Sequence, residues 1–222
     1  MIVQDGLRRM LAEQEDVYYY ITLMNENYEH PDMPEGAEEG IRKGLYLFRK
    51  GPARRGKRPR VQLLGSGTIL REVIAGAELL AEDHGVTADI WSAPSFNELR
   101  RDGLRTERWN RLHPTQEPRR SYVETCLAGQ TGPVIAATDY IKAYADQIRP
   151  FVPGRYTVLG TDGYGRSDYR RALRSFFEVD RHHVVLAALT ELAKAGKIDA
   201  SAPKTAIESY EIDPERPAPW RV

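Results

Sequence analysis

The sequence has little of several residue types, and each shortage excludes something. In 222 residues there is one cysteine, Cys126, so no internal disulfide is possible and no cysteine cluster can hold a metal. No apolar run approaches the roughly 20 residues that a membrane helix needs. Neither sign of charge dominates, with 32 Lys plus Arg against 32 Asp plus Glu. This removes the global electrostatic case for binding nucleic acid or an anionic membrane. The opening, Met1-Ile2-Val3-Gln4-Asp5-Gly6, lacks the basic-then-apolar pattern of a secretory signal. The five histidines are scattered except for His182-His183, and neighbours on a helix point about 100° apart, which does not favour joint metal ligation. No His-Glu-x-x-His zinc pattern and no Gly-x-Ser-x-Gly nucleophile elbow occurs. Together these absences point to a cytoplasmic protein without a metal centre. What is present, 41% hydrophobic and 29% charged residues, suits a folded chain.

The N-terminal part does not read as a self-contained domain. Gln4–Glu13 predicts a short helix with Leu7, Met10 and Leu11 on one face. Val17–Leu23 is a run of β-formers without Gly or Pro and predicts a buried strand. The polar stretch Asn25-Glu26-Asn27-Tyr28-Glu29-His30-Pro31 follows as loop. One helix, one strand and a loop cannot close a core, so this segment reads as the tail of a domain whose remainder lies elsewhere.

From Glu35 onward elements alternate. A short helix after Pro34 is stopped by Gly44. Leu45–Phe48 and Val61–Leu64 read as strands, and the basic Arg49–Arg60 between them as a solvated hairpin loop or linker. Gly65-Ser66-Gly67 leads into a helix with Leu70, Val73, Ile74, Ala77 and Ala81 at helical spacing, ended by Gly85. Further strands are expected at 88–92, 134–137 and 156–159. Helices are expected at 141–148, 169–177, 183–194 and 202–210, and Phe96–Leu112 reads as broken helix and loop. Strand–helix alternation argues for an α/β fold, a largely parallel sheet with helices on both faces.

Three stretches invite a functional reading. Gly65-Ser66-Gly67 sits where a phosphate cradle would sit, but position 70 is Leu rather than the third glycine of a dinucleotide fingerprint, and no Gly-Lys-Ser/Thr follows. A tight strand-to-helix turn is the preferred reading. Gly160–Asp168, with three glycines, reads as a turn at a crowded interface, with Ser167 capping the next helix and Asp168 complementing its dipole. Cys126 lies on an amphipathic helix and reads as a small buried hydrophobe rather than a nucleophile.

Several motifs carry a resemblance. Leu23-Met24-Asn25-Glu26-Asn27-Tyr28 with Met33–Gly44, Leu63–Ile69, Ser95–Gly103 with Glu107-Arg108-Trp109-Asn110, Ala137-Thr138-Asp139-Tyr140, and Leu159–Asp168 resemble, in order, the carboxy-terminal part of bacterial homodimeric pyruvate dehydrogenase decarboxylating components. These belong to the transketolase-like thiamine diphosphate enzymes. The resemblance implies a three-layer α/β/α carboxy-terminal domain over residues 41–222, preceded by the tail of the pyrimidine-binding domain over residues 1–40. It also implies an enzyme that decarboxylates pyruvate on thiamine diphosphate held by magnesium. Such an enzyme passes the acetyl group to the lipoyl group of a dihydrolipoamide acetyltransferase partner and works as a homodimer within a multienzyme complex. The metal–diphosphate motif of that family, Gly-Asp-Gly ending in an Asn pair, is absent here, and the activating glutamate belongs to an earlier segment. The chain alone is therefore expected to bind neither cofactor nor metal and to be inactive by itself. Ligands in open α/β sheets gather beyond the carboxyl ends of strands, so Asn25, Glu26, Asn27 and Tyr28 are the substrate-cleft candidates. The alternative reading is a non-catalytic module that stabilises a dimer or docks a partner. A weaker third, an independent nucleotide-binding domain, rests on Gly65-Ser66-Gly67 alone.

Overall fold

The alternating β-formers of Arg60–Gly65 place Val61 and Leu63 on one face of a strand and Leu64 on the other, and both faces find a cover. In the computed structural model, which describes residues 1–52 and 58–221, this strand (β2) is the centre of a five-stranded sheet of order β1-β3-β2-β4-β5. The other strands are β1 (Tyr46–Arg49), β3 (Thr87–Ser92), β4 (Val134–Ala137) and β5 (Tyr156–Leu159). β2 runs parallel to both β3 and β4, and β4 runs parallel to β5. β1 alone is antiparallel, paired to β3 at the edge. The expected hairpin between β1 and β2 is therefore not made, because β3 lies between them. The basic residues 53–57 of that connection lie outside the described residues.

Two apolar clusters sandwich the sheet. On one face α3 (Leu70–Asp83), α8 (Arg181–Lys194) and α9 (Ala202–Ser209) supply Val73, Leu80, Val184, Leu189, Leu192 and Ala206. On the other, α4 (Phe96–Leu112), α5 (Tyr122–Leu127) and α6 (Lys142–Asp146) supply Phe96, Leu99, Val123, Leu127 and Ala145. This is the three-layer α/β/α arrangement expected of strand–helix alternation. The remaining helices are α1 (Ile2–Leu7), α2 (Glu38–Lys43) and α7 (Arg170–Phe176).

Three further expectations need correction. Phe96–Leu112 is one continuous helix of 17 residues: Ser95 caps it by accepting from the Glu98 amide, and Gly103 lets it lie flat on Phe151. A Cβ at Gly103 would sit 2.4 Å from that ring. Val17–Leu23 forms no strand; it runs as irregular chain with Tyr18 85%, Tyr20 86% and Leu23 87% exposed. Among the described residues no strand lies beside it to accept its backbone hydrogen bonds, and only α1 packs against it, through Gly6 and Asp5 on Tyr19, so β-propensity alone does not make it a strand. Ser167 caps no helix, since α7 starts at Arg170 with Tyr169 at its N-cap and no side-chain cap.

The amino end of the sheet carries a buried polar network that the sequence did not announce. Asp89 accepts from the Gly51 amide (2.8 Å), the Gln62 side chain (2.9 Å) and Arg60. Gln62 in turn accepts from the Trp91 indole at 2.8 Å. Every buried side-chain polar atom among the described residues has a partner, so this network fixes strand register without an unsatisfied group.

Candidate functional site

In an open α/β sheet the ligand crevice lies at the carboxyl ends of the strands, where the strand order reverses. Here that point is between β2 and β4: the chain leaves β2 for β3 on one side and returns to β4 on the other. Gly65-Ser66-Gly67 follows β2 and Thr138-Asp139 follows β4. The turn is tight, as the sequence predicted. A Cβ at Gly65 would sit 2.7 Å from Leu70 Cα, and Gly67 has φ +54. The Ser66 amide is already spent on the Ala137 carbonyl at 3.1 Å.

The start of α3 is filled by the protein's own charge. Glu72, buried in the first turn, accepts from Arg174 at 3.0 Å and from both the amide (3.1 Å) and the Nε (3.0 Å) of Arg181. Burial pushes its carboxyl up, but the Arg181 hydrogen bond and the charges of Arg181 and Arg174 outweigh this and hold it below the usual carboxylate range. A carboxylate thus occupies the helix start where a phosphate cradle would need an open set of donors.

Against this cluster lies the predicted loop. Glu26 accepts from Arg170 Nε at 3.1 Å and from the Tyr28 hydroxyl. The Tyr28 hydroxyl also accepts from Arg174 at 3.2 Å, and its ring is flanked by the guanidiniums of Arg71 (4.8 Å) and Arg174 (5.8 Å). Arg71 donates to the Glu29 carbonyl at 3.0 Å. The structure therefore brings Glu26 and Tyr28 to the carboxyl end of the sheet, held by arginines of α3 and α7. Asn25 and Asn27 make no side-chain hydrogen bond among the described residues. The partners Arg71, Glu72, Arg174 and Arg181 were not singled out in the sequence, although the Arg170/Arg174 spacing of four does place both on one face of a helix.

Asp139 completes the crevice. Burial raises its carboxyl above the ordinary value, with Arg174 and Arg170 opposing, and it forms no ion pair among the described residues. Its Oδ1 would lie 3.7 Å from a Cβ at Gly67. One free carboxylate among guanidiniums does not fit a divalent cation bridging a diphosphate, which takes several oxygen ligands. No group of three or more His, Cys, Asp or Glu able to hold a metal occurs among the described residues.

The other candidates take structural places. At Gly163, with φ +111, a Cβ would meet the Pro219 carbonyl at 2.7 Å, so the glycine-rich stretch lies against the C-terminal residues as a crowded contact. Burial pushes the Cys126 thiol up, away from nucleophilic use. The two adjacent histidines diverge, His183 bonding Asp180 at 2.7 Å and His182 stacking on Tyr210 at 4.6 Å. No helix among the described residues is long and apolar enough to cross a membrane.

Residues 44–180 match the model of the transketolase-like TK C-terminal domain, and residues 1–31 match that of the pyruvate dehydrogenase E1 component middle domain. The pyruvate dehydrogenase E1 component of Cupriavidus necator is 61% identical over 222 residues, covering 100% of this chain and 25% of that protein. That of Pseudomonas aeruginosa is 61% identical over 220 residues, covering 99% and 25%. The chain thus spans about a quarter of the length of the curated relatives it matches. Among solved structures, transketolase from Campylobacter jejuni aligns with 68% of this chain and 19% of its own at 21% identity and a TM-score of 0.43. The first of these matches, over residues 44–180, takes in all five strands of the sheet, and the chain belongs to the transketolase-like TK C-terminal domain family, with pyruvate dehydrogenase E1 components as its relatives.

Proposed function

We propose that this chain serves a thiamine diphosphate-dependent pyruvate dehydrogenase as its carboxy-terminal domain, joined to the last segment of the middle domain by the arginine–carboxylate latch at the switch point. The observation that carries the reading is the 61% identity to such components over the whole chain. The latch supports it: Glu26, Tyr28 and Glu29, at the end of the middle-domain match, engage Arg170, Arg174 and Arg71 of the carboxy-terminal domain. Thiamine diphosphate and magnesium would supply the decarboxylation, and a lipoyl group on a dihydrolipoamide acetyltransferase would take the acetyl group. The crevice residues described here offer no set of ligands for that cofactor. Their part is to hold the middle-domain tail against the sheet. A homodimer, a cytoplasmic setting and a domain boundary between residues 31 and 44 complete the proposal.

The test is made in a full-length enzyme containing this sequence. Glu26→Ala and Asn25→Ala are each assayed for pyruvate-dependent turnover and for thermal stability. A fall in turnover with unchanged unfolding supports a loop that reaches the cleft. Unchanged turnover leaves the loop a structural latch. Absence of pyruvate turnover in the unsubstituted enzyme refutes the assignment itself. A calorimetric titration of the 222-residue chain with thiamine diphosphate and magnesium is expected to show no binding.

A further inference from the structure

Helix α4 packs on the sheet through Phe96, Leu99 and Gly103. At 100° per residue, Arg101, Arg105 and Arg108 fall on the opposite side and Arg100 and Arg111 on its flank, all within one arc of about 140°. All five are exposed. Leu104 (43% exposed) and Leu112 (55%) lie in the same arc, and no carboxylate does. Arg101 pairs with Glu98 at 2.8 Å from the edge of the arc; the other four arginines have no ion pair among the described residues. Like charges three and four residues apart weaken a helix by a few tenths of a kcal/mol per pair. The stripe therefore costs the fold a little and contributes nothing to its packing, although the chain as a whole is electrically balanced.

The chemistry of the stripe selects among partners. Nucleic acid without sequence preference is bound by basic residues interleaved with free aromatic faces. Here the one aromatic of the helix surface, Trp109, is enclosed between His113 (4.4 Å, stacked) and the Arg119 guanidinium (3.6 Å). Insertion at a lipid interface needs a broad apolar face, and two leucines do not make one. A row of guanidiniums with a broken leucine ridge is instead complementary to a helix that carries carboxylates every three to four residues beside its own apolar ridge. From Arg100 to Arg111 the row spans about 16 Å, three turns of such a helix.

We infer that the exposed face of α4 docks an acidic amphipathic helix of a partner polypeptide. Carboxylates pair with Arg105, Arg108 and Arg111, and Leu104 and Leu112 receive its apolar ridge. The inference stands on the surface alone and does not need the proposed enzymatic role.

The test uses the whole 222-residue chain and a fluorescent synthetic helix with glutamates at three- and four-residue spacing and a one-sided leucine ridge, followed by anisotropy. Binding is expected to weaken steeply with added salt. The triple charge reversal R105E/R108E/R111E is expected to weaken it at least about tenfold. L104A/L112A should cause a smaller loss. The control K197E/K204E, on exposed lysines remote from α4, should bind as the unaltered chain does, with circular dichroism reporting intact folding of each variant. Equal binding by the triple reversal overturns the inference. So does tighter binding of duplex DNA, of phosphatidylglycerol vesicles, or of a peptide of the same charge without the ridge.

Discussion

Residues 1–33 and residues 44–221 both contain β-rich sequence but reach different ends. The first region has a run of β-formers, Val17–Leu23, as apolar as the run Arg60–Gly65 of β2, yet Leu23 is 87% exposed and Leu63 is 0% exposed. β2 has a parallel neighbour on each side and a helix layer over each face. Val17–Leu23 has no strand beside it among the described residues and only α1 against Tyr19, and its neighbourhood is joined to the rest of the chain by the polar latch of Glu26, Tyr28 and Glu29 and by the approach of α1 to α2. Burial by partners, rather than local preference, turns a β-rich sequence into a strand.

The contrast can be broken most forcefully at the amino end of the sheet. Asp89→Ala leaves Arg60 and the Gly51 amide without their acceptor, and is expected to cost about 3–5 kcal/mol in urea denaturation. Leu63→Ala should cost about 2–5 kcal/mol through the cavity it opens. The matching change in the first region, Leu23→Ala, should stay within about 0.5 kcal/mol. A large loss at Leu23 would mean that the first region is part of the core after all.

At the latch the effects are intermediate and depend on pH. Glu72→Gln should cost on the order of 2–3 kcal/mol, because Arg174 and Arg181 lose a charged acceptor. The folded-state pKa of Glu72 is lowered. Its contribution is therefore full above the ordinary glutamate value of about 4.3 and is lost as pH falls through the folded value. Urea midpoints measured from neutral pH downward should fall more steeply for the unaltered chain than for the variant, and parallel curves would contradict this. The smallest effect has the opposite sign. Asp139 is raised by burial, so its charged form opposes folding at neutral pH and Asp139→Asn should stabilise slightly, the gain shrinking as pH falls.

Much of the fold was legible because the sheet-bearing region satisfies its own sequence pattern. The short strand read at Val61–Leu64 and the stripe of α3 both describe surfaces that find partners within this chain. Gly65-Ser66-Gly67 was readable as a tight turn because Leu70 stands where the fingerprint needs glycine. Phe96–Leu112 was read as broken because eight of its residues are charged and its buried stripe is narrow. The Ser95 cap and the contact of Gly103 with Phe151 are tertiary facts that composition does not carry. At the candidate site the sequence pointed to Glu26 and Tyr28 through their place after a strand-like run. It could not show that Arg71, Arg170 and Arg174 would gather around them, since those contacts join residues more than forty positions apart. The strand expected at Val17–Leu23 was a sound reading of local preference that lacks its neighbours in this chain.

The central claim is that the sheet-bearing region is a self-sufficient unit and that the first region is held to it by the latch. Ala37 and Gly40 are buried, and a Cβ at Gly40 would meet the Leu45 carbonyl at 2.7 Å, so the cut belongs before α2. The direct measurement is thermal unfolding of residues 34–222 beside the whole chain, followed by circular dichroism and calorimetry. A single cooperative transition within a few degrees of the whole chain's is the predicted result. Loss of the transition, or a non-cooperative melt, would contradict it and place residues 1–33 within the core.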